Sequence, residues 1–79
     1  MEKERKIKVW SYNYCMPCSF AGDYTLSECK EKAIHLSEVW NTYTKVYQTI
    51  IVGKEQLPIG VTEKDSDGKW VWKQLAEPK

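Results

Sequence analysis

An alternation of apolar and polar positions near the start of the chain predicts a β-strand over residues 7–14. Side chains of a strand point alternately to its two faces, and β-branched and aromatic residues favour this conformation. Ile7 and Val9 share one side of the strand. The other side carries three aromatic residues: Trp10, Tyr12 and Tyr14. The strand therefore has one aliphatic and one aromatic side.

The spacing of apolar residues then changes to that of an amphipathic helix. A proline and a glycine make residues 15–23 a loop. Thr25 and Glu28 form a capping-box pattern, in which each side chain accepts a hydrogen bond from the backbone N–H of the other. Apolar residues follow at steps of three and four, which places them on one stripe: Leu26, Cys29, Ala33, Leu36, Trp40 and Tyr43. We expect the helix to end near residues 41–43.

The rest of the chain predicts further strands joined by short turns. Runs rich in β-branched and aromatic residues mark three segments: 44–52, 57–64 and 69–74. Pro58 stands at the start of the second segment, where a missing N–H is tolerated. Gly53 begins the first turn, and the Asp-Gly pair at 67–68 marks a tight hairpin whose register the sequence leaves open.

These elements predict one α+β domain over residues 1–79 in the order β-α-β-β-β. One helix packs on a four-stranded, mainly antiparallel sheet, and residues 1–6 and 76–79 are expected to be frayed. A single helix covers only one face of such a sheet. The other face is therefore expected to be open to water or to a partner.

Composition and charge exclude several classes of function. Twelve Lys and Arg residues stand against eleven Asp and Glu residues, which gives a net charge of +1. This balance gives no strong attraction to nucleic acid or anionic membranes. The chain lacks an apolar run of the ~18 residues that a membrane span needs. Three cysteines, an odd number, and the absence of a signal peptide predict a reducing, cytoplasmic location.

The aromatic residues provide the first candidate site. Nine of the ten are Trp or Tyr, because Phe20 is the only Phe, and these types favour protein interfaces. If the helix covers the aliphatic side of the first strand, the aromatic side lies on the open face. A partner-binding surface would then comprise Trp10, Tyr12, Tyr14, Lys45, Tyr47 and Lys73. If the helix covers the other side, the aromatic residues form the core; the pattern leaves both arrangements open.

An open aromatic face suits three kinds of partner. Aromatic anchors occur in protein interfaces, and rings on a sheet also stack on single-stranded bases. The near-neutral charge favours the protein partner over direct nucleic-acid binding. A homodimer is the third arrangement that such a face permits.

Cys15 and Cys18 provide the second candidate site. The segment from Ile7 to Cys18 resembles the first strand and active-site motif of thioredoxin- and glutaredoxin-type proteins, and the segment Gln56-Leu-Pro-Ile resembles their proline-led strand. The resemblance implies a dithiol oxidoreductase. In it, Cys15 would be the nucleophilic thiol, Cys18 the resolving thiol and Pro58 a cis proline beside them.

The three cysteines also suggest a zinc site. Cys15, Cys18 and Cys29 supply three of the four ligands that a structural zinc ion takes. His35 lies about 120° around the helix from Cys29 and cannot converge with it on one ion. Such a site would need Asp23 or an outside ligand, whereas the position of Cys29 on the apolar stripe is typical of a buried thiol.

No other set of residues typical of catalysis occurs, so we predict a protein that is not an enzyme and needs no cofactor. The helix start Leu26–Ala33 and the closing hairpin Asp67–Lys73 resemble those of small phage-encoded anti-CRISPR proteins of helix-on-antiparallel-sheet type. The resemblance implies a viral or mobile-element inhibitor. It would act in the host cytoplasm by covering a surface of a host protein or ribonucleoprotein complex of defence or nucleic-acid handling.

Overall fold

A computed structural model describes residues 5–15, 20–51 and 53–79, which form one helix and five strands. The helix α1 spans Leu26–Trp40. The strands are β1 (Ile7–Asn13), β2 (Ala21–Tyr24), β3 (Thr44–Ile51), β4 (Glu55–Lys64) and β5 (Trp70–Gln74). The α+β class, the single helix and the antiparallel sheet are confirmed, but the predicted number of strands is one too low.

The five strands form one sheet in the order β2-β1-β3-β4-β5, and all neighbours are antiparallel. The described residues extend over 35 × 33 × 17 Å. These dimensions fit two layers, the sheet and α1, because a helix with its side chains is about 10–12 Å wide. No described helix or strand covers the second face of the sheet.

The strand β2 is the element that the sequence prediction missed. Its first three residues fall in the predicted loop 15–23, and Ala21-Gly-Asp-Tyr24 has neither alternation nor β-branched residues. Its extended state comes from its neighbour: Ile7 pairs with Tyr24 at one end, and the N–H of Ser11 donates to the carbonyl of Phe20 at 2.9 Å beyond the other. This short edge strand widens the sheet on the side of β1.

Both ends of α1 lie where the sequence predicts them, and the predicted capping box sets the first. Thr25 Oγ1 accepts from the N–H of Glu28 at 3.2 Å, and Glu28 Oε1 accepts from the N–H of Thr25 at 2.9 Å. The backbone hydrogen bond from Thr25 lowers the pKa of the Glu28 carboxyl. At the other end Asn41 adopts the left-handed conformation, with φ of 53°, that commonly ends helices.

The buried side of α1 differs from the predicted stripe over its second half. Cys29, Ala33 and Ser37 are fully buried, so the contact line with the sheet advances in steps of four. Trp40 and Tyr43, which the stripe included, are 41% and 43% exposed. A serine therefore occupies the core position that the apolar pattern assigned to larger residues.

Ser37 is buried because it belongs to a cluster of hydroxyl and amide groups between the helix and three strands. Its Oγ shares hydrogen bonds with Thr44 Oγ1 at 3.0 Å and Thr62 Oγ1 at 2.5 Å. Asn13 Nδ2 donates to Thr44 Oγ1 at 2.9 Å, and the N–H of Thr44 donates to Thr62 Oγ1 at 2.8 Å. Every described buried polar side-chain atom has a partner, so the cluster carries no unsatisfied group.

The strand β4, which lies between β3 and β5, contains a bulge beside Pro58. The strand starts at Glu55, so Pro58 lies inside it and not at its start as predicted. The register against β3 shifts there, which leaves Ile59 as an extra residue whose side chain is buried. Gly60 follows, and the indole of Trp72 occupies the space that a Cβ atom at this position would need. Beyond the end of β5, the carbonyl of Ile59 accepts from the N–H groups of the residues that follow that strand.

The last residues of the chain lie against β3 on the helix side of the sheet. The N–H of Lys79 donates to Gln48 Oε1 at 2.8 Å, and Gln48 Nε2 donates to the carbonyl of Lys79 at 2.9 Å. Arg5 also donates to that carbonyl, at 2.7 Å. Among the described residues, no helix has both the length and the apolar composition that crossing a lipid bilayer requires.

Candidate functional site

The aliphatic side of β1 faces the helix. Ile7 and Val9 are 5% and 1% exposed and belong to the core cluster with Cys29 of α1. Trp10 and Tyr12 alternate with them and therefore point to the open face of the sheet. This placement decides between the two arrangements that the sequence left open.

The open face carries a shallow groove across three strands. We call it the open-face groove; it encloses about 550 Å³. Its lining comprises Trp10, Tyr12, Tyr43, Lys45, Tyr47, Val61 and Leu75. Four of the six predicted partner-binding residues are thus brought together on one surface.

The other two predicted residues lie differently. Lys73 is paired with Val61 and stands on the open face at the border of the groove. Tyr14 lies beyond the end of β1 and is 73% exposed, outside the lining of the groove.

The centre of the open-face groove is a fixed pair of aromatic rings. Trp10 and Tyr47 are cross-strand partners, and their rings stack with centroids 4.6 Å apart and planes inclined by 11°. Trp10 Nε1 donates to Gln56 Oε1 at 2.6 Å, and Thr49 Oγ1 donates to the same oxygen at 3.0 Å. Both the ring and its acceptor are therefore held in place before any partner arrives.

One cation lines the groove together with these rings. Lys45 Nζ lies 5.3 Å from the centroid of the Tyr47 ring, within the range of a cation–π interaction. Tyr47 therefore contacts an indole and an ammonium group at once. The lining residues are aromatic, aliphatic or cationic.

Three lining residues and one supporting residue were missed from the sequence. Tyr43 was assigned to the helix stripe, whereas it follows the helix and lies on the open face. Val61 reaches the groove because the register of β4 against β3 pairs it with Lys45, and Leu75 lies directly after β5. Gln56 was assigned to a turn. Identifying these residues would have needed the exact ends of α1 and β5 and the cross-strand register of β4.

The cysteines that the structure describes differ in their exposure to solvent. Cys15 is exposed, Cys29 is fully buried and Cys18 lies outside the described residues. Removal of the Cys29 thiol from water raises its pKa to about 11, which disfavours the thiolate that zinc requires. Within the described ranges, no group of three His, Cys, Asp or Glu residues is placed to hold a metal ion.

The described part of the chain also differs from the arrangement that the thioredoxin-like resemblance implies. The next described element after Cys15 is the antiparallel strand β2, and α1 begins only after it. No described peptide bond is cis, so Pro58 is not the cis proline of that resemblance. Among the described residues, the helix start lies at Leu26, more than ten residues from Cys15 along the chain.

We expect the Cys29 thiol to be protected in the folded protein. In a variant with both Cys15 and Cys18 replaced by serine, a thiol reagent at pH 8 should react only as fast as the chain unfolds.

A raised pKa means that the folded chain keeps a proton on Cys29 that the unfolded chain, in which the thiol has an ordinary pKa of 9.0, releases. Stability should therefore fall as the pH rises from 9 to about 11, measured by urea unfolding.

The control for this prediction is the same variant with Cys29 also replaced by alanine, which should lose that alkaline component. Rapid reaction of Cys29 under native conditions would show that the thiol is accessible and would contradict its burial.

No protein-family model, no curated protein and no solved structure matches this chain.

Proposed function

We propose that this chain is a non-enzymatic binding module that docks through the open-face groove onto another protein. Its partner would be a host protein or ribonucleoprotein complex of defence or nucleic-acid handling, whose working surface the module covers in the host cytoplasm. The observation that carries the proposal is the Trp10–Tyr47 pair, stacked at 4.6 Å and fixed by Gln56. The resemblance to anti-CRISPR proteins supplies the class of partner.

The rigidity of this pair supports a protein interface. Binding costs free energy for every side chain that must be ordered, about 0.5–1.5 kcal/mol for a flexible one. Trp10 and Tyr47 are already ordered by stacking and by the hydrogen bond to Gln56. Trp and Tyr are also the residue types that most often dominate interface energies.

The size of the open face is sufficient for a specific complex. A standard interface buries about 800 Å² on each partner. The two long dimensions of the described residues, 35 and 33 Å, provide a face of that order. The exposed groove residues Tyr43 and Leu75, both 43% exposed, extend its apolar area beyond the central rings.

The state of the Tyr47 ring favours a protein over single-stranded nucleic acid. Bases bind to such platforms by stacking on free ring faces. The Tyr47 ring already contacts Trp10 and lies beneath Lys45 Nζ, which leaves little free ring surface. A net charge of +1 adds little attraction to a phosphate backbone.

Replacing Trp10 by alanine should weaken binding of the partner at least tenfold, because it removes a central anchor and frees Tyr47. The partner is identified by affinity capture from host cells, and its affinity is then measured by calorimetry. Trp40→Ala is the matched control, because Trp40 is exposed on α1 and lies outside the groove. Equal affinity of the Trp10→Ala variant and the parent protein would contradict the proposed surface.

The inhibitory part of the proposal has its own test. The purified chain should reduce target-DNA binding by a purified CRISPR effector complex, and expression of the chain should do the same to the native complex in the host. The Trp10→Ala variant should have neither effect. A chain that binds its partner through the groove but leaves the effector fully active would disprove inhibition of that complex while leaving the docking surface intact.

A further inference from the structure

Two lysines and two uncharged residues form a continuous row across the open face. Direct cross-strand pairs join Tyr12 to Lys45, Lys45 to Val61, and Val61 to Lys73. Directly paired residues project from the same face of a sheet. Lys45 and Lys73 therefore stand on either side of Val61, with Cα atoms roughly 10 Å apart, twice the spacing between strands.

The charges of these two lysines are not neutralised within the described part of the chain. Lys45 contacts the ring of Tyr47, and neither lysine forms an ion pair with a described carboxylate. Elsewhere on this face, Asp23 of β2 is the cross-strand neighbour of Lys8 of β1. Glu63 lies two residues along β4 from Val61. The row itself contains no acidic residue.

The surface between the two lysines is apolar. Val61 lies between them, and Leu75, which directly follows β5 and is 43% exposed, also lines the groove. The aromatic rings of Tyr12 and Tyr43 form the adjoining wall. A complementary ligand therefore needs negative charges that flank an aliphatic or aromatic group.

We infer that the open-face groove recognises a short acidic segment of a protein. Carboxylates of the segment pair with Lys45 and Lys73, and an apolar side chain between them packs on Val61 and Leu75. This inference rests on the proposed function and adds the chemistry of the partner. Charge-assisted hydrogen bonds at such a rim give specificity and accelerate association.

The same charges argue against the two other occupants of an open sheet face. A second copy placed face to face would set one lysine row against another, with Glu63 as the nearest compensating group on β4. Single-stranded nucleic acid would gain only the few released counterions that two lysines provide, and the Tyr47 ring is already contacted by Trp10 and by Lys45 Nζ.

The test uses a displayed library of random twelve-residue peptides as the probe, selected on the full chain. Peptides retained by the chain but lost on the Trp10→Ala variant should be rich in Asp and Glu beside Leu, Ile or Phe. The best peptide, made synthetically, should bind at least tenfold more tightly than its Asn/Gln counterpart. Its affinity should also decrease as salt is added.

The decisive variants reverse the charges of the row. K45E and K73E should each weaken the best peptide at least tenfold. K69E changes the net charge equally, but Lys69 lies in the hairpin outside the groove, so this control should stay within twofold. Intact folding of all three is checked by circular dichroism.

Several results would overturn the inference. One is that the chain retains neutral or basic peptides, or no peptide at all, in the selection. Another is that the Asn/Gln counterpart binds as tightly as the best acidic peptide, or that oligothymidylate binds more tightly than any peptide. A dimer in sedimentation that Trp10→Ala dissociates would also overturn it. If the captured partner needs Trp10 but is unaffected by K45E and K73E, the acidic segment is wrong and the proposed function stands.

Discussion

Replacing Gly60 by alanine is expected to lower the free energy of unfolding by about 3 kcal/mol, at the upper end of the usual cost of overpacking. A Cβ built on Gly60 would overlap the indole of Trp72. That ring cannot move freely, because it packs against the core and its Nε1 donates to Gln74 Oε1 at 2.8 Å. Urea unfolding followed by circular dichroism gives the stability, and the melting temperature should fall by more than about 10 °C.

The double variant Gly60→Ala/Trp72→Leu tests the stated cause. Trp72→Leu alone should be destabilising, because it removes an aromatic ring from the edge of the core. In the Gly60→Ala background the same change should cost much less, because the smaller side chain makes room for the new methyl group. A strictly additive pair, or a Gly60→Ala variant as stable as the parent, would show that the two positions do not collide.

The parts of the fold that the sequence predicted are those fixed by neighbours along the chain. The helix boundaries follow from the Thr25–Glu28 capping box and from Asn41. The last hairpin follows from Gly68, whose φ of 77° suits the left-handed position of a tight turn. Each signal acts within about four residues and needs no tertiary contact.

The features that the sequence did not predict depend on contacts between distant residues. The strand β2 has no strand-like composition and is extended because β1 offers it hydrogen-bonding partners. The bulge at Ile59 depends on how β4 lies against β3 and on the residues after β5. Neither could be derived from local propensity.

The candidate site was predicted in part for the same reason. The aromatic side of β1 was visible as an alternation, but its exposure depended on which side α1 covers. The helix lies on the aliphatic side, where Ile7 and Val9 join the core. Tyr43 and Leu75 enter the groove through the ends of elements and the cross-strand register, which a one-dimensional pattern does not specify.

The buried hydroxyl cluster leads to the second large effect on stability. Thr62→Val should cost about 3 kcal/mol, because it removes the acceptor of the buried Thr44 N–H and one of the two hydrogen bonds of the buried Ser37 hydroxyl. Thr62 Oγ1 accepts from the N–H of Thr44 at 2.8 Å and shares a hydrogen bond with Ser37 Oγ. All three residues are at most 1% exposed, so water cannot replace the lost acceptor without opening the structure. Urea unfolding measures the loss.

Thr62→Ser is the matched control, since it keeps the hydroxyl oxygen and removes only a methyl group. If hydrogen bonding is the cause, the serine variant should be clearly more stable than the valine variant, although valine preserves the side-chain shape. The valine variant should also lose stability where α1 meets β3 and β4. Hydrogen exchange at the amide of Thr44 should therefore accelerate more than exchange at Val9, which lies in the apolar core and takes no part in the hydroxyl cluster. A valine variant as stable as the serine variant would mean that packing, rather than these hydrogen bonds, places Ser37 in the core.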